Sequence, residues 1–363
     1  MKNKMLTKLP KIAPKDVSKT ESFVDFVDNC FQAYNGARLR EACQLFAEKM
    51  AADDSLVGIS LTGALTPAGL GISSLVPLIE AGFIDYIAST GANLYHDAHF
   101  PLGFDLYQGS PHLDDVVLRK DGVIRVYDVL FDQKVLFDTD AFYTQLIREP
   151  IFQKKMGCAE FHYELGRFVD AREKALGVKN ISVLAACFRN EVPVYVPSIG
   201  DSTIGMNAAL TSLEGYKIQF DPNLDVNETA AIVYHAKKNN MKSSVFVCGG
   251  GAPKNFLLQT EPYIQEILGL KEDGHDYFIQ ITDARPDTGG LSGATPAEAV
   301  SWGKINPDKL PGTVVVYTDT TIALPIIAHY VLSKKKNREK RRLYKKLGSF
   351  VEKMKNDYIK IKG

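Results

Sequence analysis

The chain lacks most of the features that assign a function at sight. Its five cysteines, Cys30, Cys43, Cys158, Cys187 and Cys248, are odd in number and widely spaced, and no CxxC occurs. That excludes a disulfide framework and a zinc knuckle, and predicts buried free thiols in a reducing compartment. No HExxH-type pattern is present. His96 and His99 flank Asp97, which is too few ligands for a metal centre, so hydrogen-bonded or solvent-facing histidines and no metal are expected. GxxxxGK[ST] and GxGxxG are both missing, which removes a P-loop and the usual dinucleotide fingerprint. No apolar run is long enough for a membrane span: the stretch IALPIIAHYVL is short and holds Pro325 and His329. The beginning, MKNKMLTKLPKIAPKD, has no signal-peptide core, so a soluble cytoplasmic protein is expected. Net charge is missing too. Forty-three basic residues balance 43 acidic ones, and no nucleic-acid partner is predicted.

What the chain does have is apolar content, 45% of 363 residues, ample for a large core. Residues 1–50 read as an arm followed by one or two helices, with Asn35-Gly36 as the break. Residues 51–332 read as the main domain. Six apolar runs lie there: LVGISL, IDYIAST, VPVYV, SSVFVC, DYFIQIT and TVVVYT. Each runs into a polar or glycine-rich turn, and helical stretches are expected at 70–81, 140–149, 157–190, 225–240 and 254–268. That alternation predicts an α/β fold of Rossmann-like type, a mostly parallel sheet with helices on both faces. Ligands of such sheets bind outside the carboxyl ends of the strands, where the motifs are expected to collect. Residues 98–135 interrupt the alternation and read as an inserted segment or hairpin around VIRVYDVL. Residues 333–363 hold 13 basic and three acidic residues, leaving the remainder acidic by ten charges. They read as a basic helical extension with a solvated face, able to rest on an acidic neighbour.

Chemistry can be placed in two sets of residues. TGALTPAGLG and CGGGAPKNF each follow a strand and open a helix. Glycines there admit a close approach of the backbone, and unpaired N–H groups of a helix start suit a phosphate. Each is a weak signal alone; together they favour a dinucleotide. The second set is DARPDTGGLSGATPAEAVSWGKI, residues 283–305, with Glu298, the sole tryptophan Trp302, and Lys304. The plain reading of Lys304 is a surface lysine. The functional one is a nucleophilic amine whose proton affinity falls with burial beside Trp302. Glu298 and Trp302, four apart, would share a helix face and hold an ammonium by charge and cation–π contact. Asp201, Asp283 and Asp319 end separate strands; helix capping is the ordinary use of such aspartates.

EAVSWGKI, with GGG at 249–251, PSIGDSTIG at 197–205, TGALTPAG at 62–69, STGAN at 89–93 and VVYTDTT at 315–321, resembles the deoxyhypusine synthase family and its homospermidine synthase relatives. The resemblance spans roughly residues 45–330. It implies that Lys304 forms a covalent imine with the aminobutyl group of spermidine, and that Trp302 and Glu298 hold the polyamine. It implies NAD lying among Thr62, Gly63, Thr90, Gly91, Asp201, Gly249, Gly250, Gly251, Asp319 and Thr320. It further implies a homotetramer with active sites between paired subunits, and transfer of the aminobutyl group to an acceptor amine, either putrescine or a protein lysine. The sequence departs from the family at several points. Asn255 stands where eukaryotic members use a histidine for proton handling, and Gln259 replaces an asparagine near the substrate. Met206 and Leu291 stand for acids. Tyr95 and His96 replace paired glutamates, while Asp97 remains. The segment that plugs a neighbouring site in eukaryotic members has no clear counterpart, which fits a bacterial or archaeal protein. Amides cannot act as bases near neutrality. The alternative expectation is therefore an NAD- or polyamine-binding homologue with lost or altered transferase activity.

Overall fold

The structure is a computed structural model and describes residues 6–362. Its centre is a six-stranded sheet of β1 (Ser55–Leu61), β2 (Tyr86–Ser89), β3 (Val194–Tyr195), β4 (Lys242–Cys248), β5 (Tyr277–Thr282) and β6 (Thr313–Tyr317). The order across the sheet is β6-β5-β4-β1-β2-β3, and every pairing is parallel. This is the doubly wound Rossmann order, which reverses direction between β1 and β4. The central strands are rich in Val, Ile and Ser and do not alternate apolar with polar. Helices cover both of their faces, so all seven residues of β1 are buried. The fold class read from the sequence is the one observed.

Register positions the loops. Leu61 pairs with Cys248 on one side and with Ser89 on the other. Thr62, Gly249 and Thr90, the next residue of each strand, therefore emerge side by side at the carboxyl edge, at the point where the strand order reverses.

Several elements differ from expectation. The first helices are Phe23–Cys30 and Tyr34–Leu45, so the break falls at residues 31–33 and Asn35-Gly36 lies inside the second helix. Ser22 caps the first of these by accepting from the Asp25 N–H, and Tyr34 enters the second with φ +55°. The long helical stretch 157–190 is two helices, Cys158–Ala175 and Val183–Asn190. The second is capped by Ser182 and also by the buried carboxylate of Asp97, which accepts from the Val183 and Leu184 N–H groups and from the Ser182 hydroxyl. A helix at Thr203–Leu213 had no clear periodic signal. The expected hairpin is present as Val123–Val126 and Val129–Asp132, joined antiparallel with Tyr107–Gln108 alongside. Cys43, Cys158, Cys187 and Cys248 are buried free thiols, and Cys30 is half-buried.

The basic C-terminal residues are not uniformly solvated. Arg338 is buried, donating to Asp85 at 2.8 and 2.7 Å and to the carbonyls of Gly82, Ala52 and Ser55. The last helix, Leu347–Lys362, lies on Pro222–Lys238, with Phe350 stacked on His235 at 3.9 Å.

Candidate active site

At the carboxyl edge, Thr62 is the junction between β1 and the glycine turn. Its hydroxyl donates to the Gly250 carbonyl and accepts from the Gly250 N–H at 3.3 Å. Gly249 and Gly251 have φ of +83° and +60°, a left-handed backbone that favours glycine. Helix Gly251–Leu258 begins there. A Cβ on Gly250 would lie 2.4 Å from the Ser292 Cα, and Ser292 Oγ accepts from the Gly251 N–H at 3.1 Å. The loop after β5 is thus docked on the glycine turn. Thr90 caps helix Gly91–Asp97 and donates to the Gly63 carbonyl at 2.6 Å. Among the described residues, nothing lies within 4 Å of the Cβ position of Gly63. A helix start, left-handed glycines and open space beside Gly63 fit the phosphates of a dinucleotide. No acidic side chain stands at the end of β2, where the usual fingerprint places the ribose-binding group; Thr90 is there instead.

The second part of the site runs down the face of the sheet from that edge. From its loop after β5, the chain forms the short helix Pro296–Ser301, whose Thr295 cap accepts from the Glu298 N–H at 3.2 Å. It then turns at Gly303, φ +64°, into Lys304. The Lys304 carbonyl accepts from the His275 N–H at 3.0 Å, and the Asn306 N–H donates to the His275 carbonyl at 3.1 Å. His275 precedes β5, so the backbone of Lys304 has been carried back to the amino-terminal side of the sheet. This corrects the expectation that the Trp302–Lys304 motif sits at the carboxyl edge. The six-residue helix, rising about 1.5 Å per residue, supplies roughly 9 Å of that return, and the segments on either side of it supply the rest.

Between this helix and Gly251–Leu258 lies a cavity of about 260 Å³. Asn255, Gln259, Glu298, Trp302 and Lys304 all line it, together with Lys254 and the apolar Leu258, Phe278 and Leu291. The five residues predicted for the catalytic and substrate site thus converge on one space. Lys304 Nζ donates to Asn255 Oδ1 at 3.2 Å and lies 5.5 Å from the Trp302 ring centre. Burial lowers the proton affinity of Lys304, against the opposing charge of Glu298. Trp302 is itself 58% exposed and forms an open wall, so the burial of Lys304 comes mainly from the other cavity walls.

Other predicted residues are set apart. Asp201 follows β3 and Asp319 follows β6, at opposite edges of a six-stranded sheet, roughly 24 Å apart at the usual strand spacing. Asp319 caps helix Thr320–Lys334, donated to by the Thr321 N–H at 2.5 Å, and Thr320 is the first residue of that helix. The acid retained at Asp97 faces away from the cavity as a helix cap. His96 and His99 are hydrogen-bonded, as expected: His96 Nδ1 and His99 Nε2 are 2.9 Å apart, and His99 Nδ1 is 2.9 Å from Thr139 Oγ1.

Sequence reasoning missed Lys254 and Gln280. Lys254 Nζ donates to Gln280 Oε1 at 3.0 Å and to the Ala294 carbonyl at 2.7 Å. The Gln280 amide donates to the carbonyls of Gly249 at 2.8 Å and Ser292 at 2.7 Å. The one available signal was a polar glutamine in the middle of the apolar run YFIQIT. It also missed Gly274, φ +95°, where a Cβ would lie 2.7 Å from the Asn306 nitrogen; only glycine lets the chain carrying Lys304 pass there.

Comparison with known proteins gives one consistent set of relatives. The sequence profile described as "Deoxyhypusine synthase" matches residues 23–331. The chain is 57% identical over 352 residues to a "Deoxyhypusine synthase-like protein" of Nostoc sp. (strain PCC 7120), covering 97% of this chain and 92% of the relative. It is 55% identical to the protein of the same name in Nostoc punctiforme, covering 97% and 90%. Against "Probable deoxyhypusine synthase 2" of Methanosarcina acetivorans, identity is 37%, covering 91% of each. Among solved structures, one assigned as a deoxyhypusine synthase from Entamoeba histolytica superposes with a TM-score of 0.58 at 12% identity. The match covers 90% of this chain and 99% of that one, a likeness of fold.

Proposed function

Because this chain belongs to the deoxyhypusine synthase family, we propose that its cavity performs NAD-dependent transfer of an aminobutyl group from spermidine, through an imine on Lys304, to an acceptor amine. The coarser statement is secure from family membership: the chain is a transferase of the aminobutyl-transfer type. The observation that carries the finer reading is the convergence of Lys304, Trp302, Glu298, Asn255 and Gln259 on one cavity.

The chemistry follows from what these groups can do. NAD, when bound, takes and returns a hydride, so that the net reaction is a transfer. Thr62, Gly63, Gly249, Gly250 and Gly251, with Thr90 and Gly91 beside them, would hold it by close approach of the glycine backbone, since the N–H groups of Thr62, Gly249, Gly250 and Gly251 already donate to Cys248, Ile281, Thr62 and Ser292. Asp201, Asp319 and Thr320 provide polar groups toward the sheet edges. Glu298 and Trp302 bind one ammonium of the donor by charge and by the ring face. Burial keeps a share of Lys304 unprotonated and nucleophilic. Asn255 orients its amine by accepting the Lys304 N–H. The apolar walls exclude water, which would hydrolyse an imine.

In the same reading the protein is a homotetramer whose sites lie between paired subunits. Helix Thr203–Leu213 supports this: Met206, Leu210 and Leu213, three or four apart, are 65, 45 and 89% exposed and form an unpartnered apolar stripe. The acceptor is a small diamine such as putrescine or a protein lysine. Feeding spermidine labelled in its aminobutyl portion, with putrescine in one reaction and candidate acceptor proteins in another, tests this. The expected result is label in homospermidine, a triamine distinct from the donor, or on a protein lysine, with release of unlabelled propane-1,3-diamine. Tight NAD binding with no transfer to either would instead identify a binding homologue without transferase activity.

A further inference from the structure

The cavity holds two lysines, and only one is accounted for. Lys254 sits one turn into helix Gly251–Leu258 and is almost wholly buried. Its nitrogen has two acceptors, Gln280 Oε1 and the Ala294 carbonyl. An ammonium has three N–H donors and no lone pair; a neutral amine has two donors and one lone pair. Two acceptors therefore satisfy the neutral amine completely and leave the ammonium with an N–H lacking a protein acceptor among the described residues. Gln280 cannot turn to serve otherwise, because its own N–H groups are held by the Gly249 and Ser292 carbonyls. The surroundings act in the same direction. Burial, and next the charge of Lys304, lower the proton affinity of Lys254 to about 8, with Glu298 opposing.

The other lining groups are poor proton acceptors for amine chemistry. Asn255 and Gln259 are amides. Glu298 is exposed on the facing helix, and a carboxylate is ill matched to a proton leaving an ammonium.

We propose that Lys254 is the proton acceptor of this cavity, taking over the duty that an amide at position 255 cannot perform. This rests on the reading of Lys304 as an imine-forming nucleophile. As the Lys304 Nζ lone pair bonds to the carbon of the donor's iminium, the C=N π pair moves onto the donor nitrogen. The proton on the new Lys304 ammonium passes to the Lys254 lone pair. Lys254 then returns that proton to the donor nitrogen, the donor C–N bond breaks, and the Lys304 lone pair forms the new iminium. Lys254 ends neutral, and no outside oxidant or base is consumed.

The test uses the full chain with butanal and cyanoborohydride, trapping an imine on Lys304 and reading it by peptide mass. Imine formation from an aldehyde needs the same transfer of a proton off Lys304. Two variants are compared with the native chain: Lys254→Met removes the amine, and Lys254→Arg keeps a donor for Gln280 and Ala294 but cannot act as a base. In both, the trapping rate at neutral pH is expected to fall about 100-fold, and the rise of rate with pH seen in the native chain is expected to move to higher pH. Trapping by Lys254→Arg at the native rate and with the native pH profile would overturn the proposal and leave Lys254 a structural donor. If Lys254→Met does not fold, Lys254→Arg alone decides. Loss of spermidine trapping in the native chain, with butanal trapping still dependent on Lys254, would reject the transferase reading and keep this one.

Discussion

Lys304 gains its character from neighbours rather than from its own position. It is tied to Asn255, flanked by the Trp302 ring and partly desolvated, and each of these follows from how two short helices pack. The His96–His99 pair shows the opposite use of burial. Burial pushes His96 down to about 4 and His99 to about 3, the latter helped by the charge of His96. Both folded values lie below the unfolded value near 6.5, so the pair's stabilisation is complete above that pH. It is lost as pH falls toward 4 and 3, on the order of 3 kcal/mol for each ring. Imidazole NMR signals of His96 and His99 are therefore expected to stay constant from about pH 8 to about pH 5; titration near 6.5 would contradict the buried, neutral pair. At this scale Lys304, Trp302, Glu298, Asn255 and Gln259 were legible because they lie in two contiguous motifs. Lys254 stood in the same motif as Asn255, but its importance was hidden. Its partner Gln280 is 26 residues away, and the two meet only when the helix lies across β5. Asp97 misled for a related reason. An acid in a motif is visible in sequence, while its commitment to the start of another helix 85 residues away is not.

The elements explain why Lys304 is where it is. The loop 283–295 begins at the carboxyl edge, docks on the glycine turn through Ser292, and the helix Pro296–Ser301 then carries the chain down the sheet face. Gly274 is the pivot of that return, since the chain at Gly303 and Ile305 passes directly over it. Gly274→Ala is expected to cost about 1–3 kcal/mol in backbone strain and contact. It should also reduce imine formation at Lys304 about 100-fold by displacing the lysine. Gly269→Ala is the matched control: φ is +65° with nothing within 4 Å of its Cβ position, so it should lose stability but keep its trapping rate. Denaturant unfolding and peptide-mass trapping of both variants check this. Equal loss of trapping in the two would remove the positioning role of Gly274. The six strands could be read from apolar runs bounded by glycine and polar turns. The return of Lys304 down the sheet could not, because periodicity gives the length of a helix but not its direction against the sheet.

Across the whole molecule, register joins the two halves of the site. The row Thr62, Gly249, Thr90 forms at the reversal of strand order, and Gln280, on the next strand, links it through Lys254 to the cavity of Lys304. The sheet order itself was not legible, since neighbouring strands such as β1 and β4 are separated by about half of the chain. The C-terminal segment, read as a solvated basic extension, sends Arg338 into a buried pair with Asp85, a contact no charge count reveals. The proposed chemistry turns on Lys304 as the carrier of an aminobutyl group. Its most direct test is to incubate the native protein with spermidine and NAD, reduce with borohydride, and map the added mass by peptide sequencing. One aminobutyl group is expected on Lys304, dependent on NAD and absent from Lys304→Ala. An unmodified Lys304 peptide, or an aminobutyl group on a different lysine, would contradict it.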